Sequence, residues 1–172
     1  MDRLFIMKKI LLIIMCVWIS ILSFVGCDPA FNYIKEEETL ADTVKVELVD
    51  YKNESPKYIR LKKEKPKFDF DKVTFIATLD DSLIEDFVKD LSKQTLLLYS
   101  IAANEPIGKT IILYQANGDM LVWYAGSYTN AKGKTSNYAG CTKFDKNGEF
   151  IQYLGHIDTA TCIDIFEEKY FL

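Results

Sequence analysis

A thiol beside an imidazole makes a nucleophile, and Cys141, Cys162 and the single histidine, His156, supply both groups within one short stretch. Closeness along the chain says little about closeness in space, so a core or surface histidine is the simpler reading. One histidine and no CxxC spacing leave no zinc site of the usual kinds. Asp145, Asn147 and Glu149 place oxygens at alternate positions, as the start of a calcium loop does, but the bidentate acid that closes such a loop is missing. Asp-Lys-Asn-Gly is also a good turn in its own right. No G-x-S-x-G elbow occurs, and Asp80-Asp81 suits the start of a helix, where negative charge is favoured. The sequence therefore assigns no catalytic residue, no metal ligand and no cofactor.

The sharpest signal lies at the start of the chain. Arg3, Lys8 and Lys9 precede an almost wholly apolar run over residues 10–25, and Phe24-Val25-Gly26-Cys27 closes it. Cationic residues hold such a start on the cytoplasmic side, while the run is shorter than the ~20 residues a spanning helix prefers. Asp28 and Glu36 to Glu38 follow, so the charge bias puts the remainder of the chain outside. The segment resembles the type II signal peptide, or lipobox, of bacterial lipoproteins, with Phe24 where that family most often has Leu. The resemblance covers residues 1–27, and the remainder is similar to small bacterial lipoproteins without an assigned activity. It implies removal of residues 1–26, lipidation of Cys27, and anchoring outside the cytoplasmic membrane or in the outer envelope. The alternative is an uncleaved N-terminal anchor in which Cys27 is an ordinary thiol. Met7 is an alternative start.

Taking away residues 1–26 removes three of the 21 basic residues and one of the 25 acidic ones, leaving 18 against 24 and a formal charge near −6. A net acidic, exported domain is a poor partner for nucleic acid, whose binding depends on neutralising phosphates. Export also divides the four cysteines. Cys16 leaves with the signal and Cys27 takes the lipid. Cys141 and Cys162 then either form a disulfide, worth ~3 kcal/mol for a loop of this length, or pack as two buried thiols. Lys57, Arg60, Lys62, Lys63, Lys65 and Lys67 either meet anionic headgroups or form a solvated loop.

Three regions are expected to follow: a signal peptide over 1–26, a polar tether over 27–42, and a single domain over 43–172. Residues 43–51 alternate, with Val44, Val46 and Leu48 on one side, and predict a strand; residues 73–79 predict another. Residues 52–67 and 102–108 read as exposed connections. A helix is predicted over 82–93, capped by Ser82 with Glu85 three residues on, and with Leu83, Ile84, Phe87, Val88 and Leu91 on one face. Asn117-Gly118 predicts a two-residue hairpin turn that pairs Leu113 with Val122 and Ile112 with Trp123. Asp145 to Gly148 marks a second hairpin, and residues 158–170 suit a short terminal helix.

The expected fold class is α+β, an antiparallel sheet of hairpins with one main helix on a face and a short C-terminal helix. Both faces of the first hairpin are apolar, so something must cover the second face: the terminal segments, a loop, or a protein or carbohydrate partner. Trp123, Tyr124, Tyr128 and Tyr138 gather around that hairpin and offer contact area for a protein or carbohydrate ligand. The functional expectation is an outward-facing, lipid-anchored binding or accessory module without catalytic activity. The alternative is a small exported enzyme or inhibitor with its site near the 124–138 loop.

Overall fold

Two glycines set the register of the sheet. Gly118 (φ +90°) and Gly148 (φ +79°) each end a three-residue loop. In the first, Gly118 N donates to Gln115 O at 2.8 Å, Gln115 N to Asp119 O at 2.9 Å, and Asp119 N to Asn117 Oδ1 at 2.9 Å. The second repeats this from Asp145 to Glu149, with Asp145 Oδ1 accepting from both Asn147 N and Glu149 N at 2.8 Å. A type I turn closed by a left-handed glycine is one residue longer than the expected Asn-Gly turn. The pairing is accordingly shifted: Leu113 faces Leu121, Ile112 faces Val122 and Ile111 faces Trp123. A one-residue shift sends one strand's side chains to the other face. The apolar sets are therefore Ile111, Leu113, Leu121 and Trp123 on one face, and Ile112, Met120, Val122 and Tyr124 on the other.

The fold is α+β. A computed structural model describes residues 31–33, 40–53, 58–60, 64–97, 102–129, 133, 135–157 and 161–172. The signal-like segment and Cys27 lie outside the described residues. The strands are β1 (Phe31–Tyr33), β2 (Thr43–Tyr51), β3 (Tyr58–Arg60), β4 (Val73–Thr78), β5 (Thr95–Leu97), β6 (Ala102–Asn104), β7 (Ile107–Gln115), β8 (Met120–Thr129), β9 (Thr135–Phe144) and β10 (Phe150–Ile157); the helices are α1 (Ile84–Ser92) and α2 (Thr161–Tyr170). Eight strands form one antiparallel sheet in the order β1-β5-β10-β9-β8-β7-β2-β4, and β3 and β6 pair separately. Among the described residues no helix is long and apolar enough to cross a membrane.

Phe31–Leu172 is one compact unit, in which β1 pairs with β5 and Leu40 is fully buried. Several expectations need correction. Residues 58–60 and 102–104 are strands, because each supplies the other's ladder. Asp80 caps the turn before α1, accepting from Ser82 N at 2.8 Å and Ser82 Oγ at 2.6 Å, so Ser82 is the donor rather than the cap. On β4, Ile76 is an extra residue in the ladder, with Leu48 opposite Ala77 and Val49 opposite Phe75.

Both helices cover the same sheet face. Phe87 and Leu91 of α1 and Cys162, Ile163 and Phe166 of α2 pack over Val46, Leu48, Ile111, Leu113, Leu121 and Trp123. Phe87 meets Phe166 and Tyr170 edge-on, with ring centres 5.1 Å apart. Polar contacts latch the helices together at the rim. Asp90 accepts from Lys93 Nζ at 2.7 Å, from the Tyr170 hydroxyl at 2.6 Å, and from Lys169. These donors, Lys169 first, hold the Asp90 carboxyl well below its ordinary value of 3.8. A carboxyl depressed on folding contributes stability above its unfolded pKa and loses it as pH falls. The docking of α2 is therefore expected to loosen below about pH 4, the ordinary carboxylate range. In Asp90→Asn that pH dependence should shrink. Amide exchange of the α2 backbone at pH 3 and pH 7 checks this; identical profiles for both proteins would contradict it.

The second face is closed by the chain itself. Residues 64–72 run across it as a strap, and Phe68 plugs the cluster of Val49, Tyr51, Ile112, Met120, Val122, Tyr124 and Phe144. Phe68 N donates to Gly148 O at 2.8 Å and Asp69 N to the Tyr51 hydroxyl at 3.0 Å. Lys67 pairs with Glu149 at 2.6 Å, and Lys65 sits 4.9 Å over the Phe150 ring. Part of the basic stretch thus serves the strap.

Candidate functional site

Neighbouring residues on a strand point to opposite faces, and this separates the aromatic residues singled out in the sequence. Trp123 is 1% exposed under the helices, while Tyr124 is fully buried on the strap side. They form no common surface, which corrects the expected ligand patch. Tyr128 lies opposite Ser136 on β8, and its side chain is outside the described residues. Tyr138 on β9 is half-buried. Trp123 and Tyr124 work as core because a sheet covered on both sides needs large apolar side chains on both.

On the strap side the tyrosines sit on glycines. Tyr124 lies opposite Gly140 and Gly126 opposite Tyr138. A Cβ built on Gly140 would stand 2.9 Å from Tyr124 Cζ, and one on Gly126 would stand 2.5 Å from Tyr138 Cζ. Each ring thus lies over the bare backbone of the adjacent strand. Glycine in a strand interior often marks such a close approach, and that was the signal available in the sequence. The Tyr138 ring meets His156 edge-on at 5.4 Å, and the Tyr153 hydroxyl lies 3.4 Å from His156 Nδ1. Tyr124 shares a hydrogen bond of 3.2 Å with Thr142 Oγ1.

Burial pushes the Tyr124 and Tyr153 phenols far above their ordinary range, so both stay protonated at neutral pH. The thiols behave likewise. Burial raises Cys141 strongly and pushes Cys162 up to about 11. A protonated thiol is a poor nucleophile. Geometry also separates Cys141 from His156: Cys141 packs under the helices, whereas His156 lies opposite Gly140 on the strap side. The structure therefore does not assemble a Cys141–His156 pair. Cys141 and Cys162 are free thiols buried in the same cluster, so the packing alternative describes them and the disulfide does not.

Asp145 spends one oxygen on two backbone N–H groups of its turn. Among the described residues no group of three His, Cys, Asp or Glu side chains could hold a metal ion. A second polar cluster lies on β2 and β7, where the Tyr114 hydroxyl donates to Glu47 at 2.7 Å and Lys45 pairs with Glu47 at 2.5 Å. Burial, followed by the Glu47 carboxylate, raises the Tyr114 phenol, so it acts as a fixed donor. Among the described residues the buried Trp123 indole N–H has no hydrogen-bond partner. These arrangements position rings and satisfy polar groups; none presents an activated nucleophile. Compared with protein-family models, curated proteins and solved structures, the chain matches none.

Proposed function

We propose that this chain is an exported module of a bacterial envelope, held to the membrane by lipid on Cys27, whose domain binds or assists a partner rather than catalysing a reaction. The observation that carries the reading is the order Arg3, Lys8, Lys9, apolar run, Phe24-Val25-Gly26-Cys27. Two or more acyl chains make such anchoring stable, at ~0.8 kcal/mol per buried CH₂. The position of β1 fits this reading. Only Asp28, Pro29 and Ala30 separate Cys27 from Phe31, at most about 14 Å of extended chain. The domain would then ride close to the headgroups. A protein partner is favoured over a carbohydrate one, since Trp123 and Tyr124, two of the rings offered for stacking on sugar, are internal. The net acidic charge disfavours nucleic acid.

Intact-mass measurement on membrane-extracted protein tests the reading. A chain beginning at Cys27 and carrying acyl mass is expected. An unmodified chain retaining residues 1–26 would overturn it.

A further inference from the structure

Of the eight large apolar side chains left exposed among the described residues, Val44, Ile151, Ile165 and Leu172 are scattered, and the other four belong to one stretch of chain. Phe75 (59%), Ile76 (45%), Phe70 (45%) and Leu83 (38%) lie on β4 and its two flanking turns. This strand ends the sheet, and its outer side pairs with nothing among the described residues. No charge interrupts residues 73–79, whereas edge strands are ordinarily protected by charged side chains. Apolar surface concentrated in this way marks an interaction site.

Charge decides the occupant. From Asp69 to Asp86 the chain carries six carboxylates and a single lysine, Lys72, which turns toward Asp69 at 3.8 Å. Asp71, Asp80, Asp81, Glu85 and Asp86 are all exposed around the apolar strand. A second copy would bring the same acidic rim against itself, and like charges facing each other oppose association. An anionic membrane is repelled for the same reason. The extra residue at Ile76 also breaks the outer ladder, so a long added strand would lose register there. What fits is a short extended segment with apolar side chains for Phe75 and Ile76, flanked by lysine or arginine for the rim.

We propose that the β4 edge is the docking surface of this module, and that its partner is a cationic, apolar peptide segment of another envelope protein. This rests on the binding-module reading but not on the lipid. It also places the contact on the opposite edge of the sheet from β1.

The test uses the full-length protein in non-ionic detergent micelles and two fluorescent hexapeptides, Lys-Val-Phe-Lys-Val-Lys and its counterpart with Glu for every Lys. The cationic peptide should bind, weaken at least tenfold between 50 mM and 500 mM salt, and weaken at least tenfold on Phe75→Ser or on Asp80→Asn with Asp81→Asn. Equal binding of the acidic peptide, or unchanged binding in these variants, would overturn the proposal, as would no binding at all. Phe75, Asp80 and Asp81 are exposed, and amide-exchange protection of β7 and β8 confirms that each variant is folded. The acyl mass on Cys27 is read separately, so failure here and failure of the anchor are distinguishable.

Discussion

Gly148→Ala is expected to lose about 4 kcal/mol of stability, whereas Gly118→Ala, in a turn of the same kind, should lose about 1. Both glycines have positive φ, so the strain of placing an L side chain there is shared. The surroundings differ. A Cβ on Gly118 would meet Lys146 Cβ at 3.5 Å, an ordinary contact, but one on Gly148 would stand 2.2 Å from the backbone oxygen of Phe68. Backbone cannot rotate away as a side chain can, so the strap must lift. That breaks the bond from Phe68 N to Gly148 O, worth about 1 kcal/mol, and draws Phe68 partly out of its cluster, worth about 2 more. Urea unfolding of both variants measures the difference. The Gly148 variant should also bind an apolar dye through the uncovered face. Equal losses would show that the strap is not held at this turn.

The second pair separates distance from freedom to move. A Cβ on Gly126 collides more closely, 2.5 Å from Tyr138 Cζ, than one on Gly140, 2.9 Å from Tyr124 Cζ. Gly140→Ala should nevertheless cost more. Tyr124 is fully enclosed and bonded to Thr142, so its ring must strain a packed cluster at roughly 1–3 kcal/mol. Tyr138 is half-buried and can swing toward solvent, which keeps the loss in Gly126→Ala to about 1 kcal/mol or less. That swing should shift the His156 imidazole resonances, because the Tyr138 ring leaves them. Thermal unfolding ranks the two variants; the reverse order would mean that Tyr138 is locked as firmly as Tyr124.

Local pattern made much of the fold legible. Alternation over β2, the apolar face of α1, and two Asn-Gly turns are properties of neighbouring residues, and each element lies where its pattern puts it. Val44, however, falls at a register shift and is exposed rather than facing inward with Val46 and Leu48. The register of the first hairpin was not legible, because Asn-Gly accommodates a loop of two or three residues and one residue decides which side chains share a face. The strap was hidden for another reason. Phe68 sits among lysines and aspartates, and the cluster that buries it comes from β2, β7, β8 and β9. The aromatic patch misled because clustering along a chain ignores the alternation that sends Trp123 and Tyr124 to opposite sides. The β4 edge emerges only from the strand order, although its lack of charge is plain in the sequence.

Attachment through Cys27 is the claim on which the module's place in the cell depends. Cells grown with an alkyne-tagged fatty acid, then lysed and probed for tag on this protein, test it most directly. The account predicts a tagged, membrane-bound wild-type protein and an untagged Cys27→Ala variant that keeps residues 1–26. A tag that persists in Cys27→Ala, or a wild-type protein that takes up none, would contradict it.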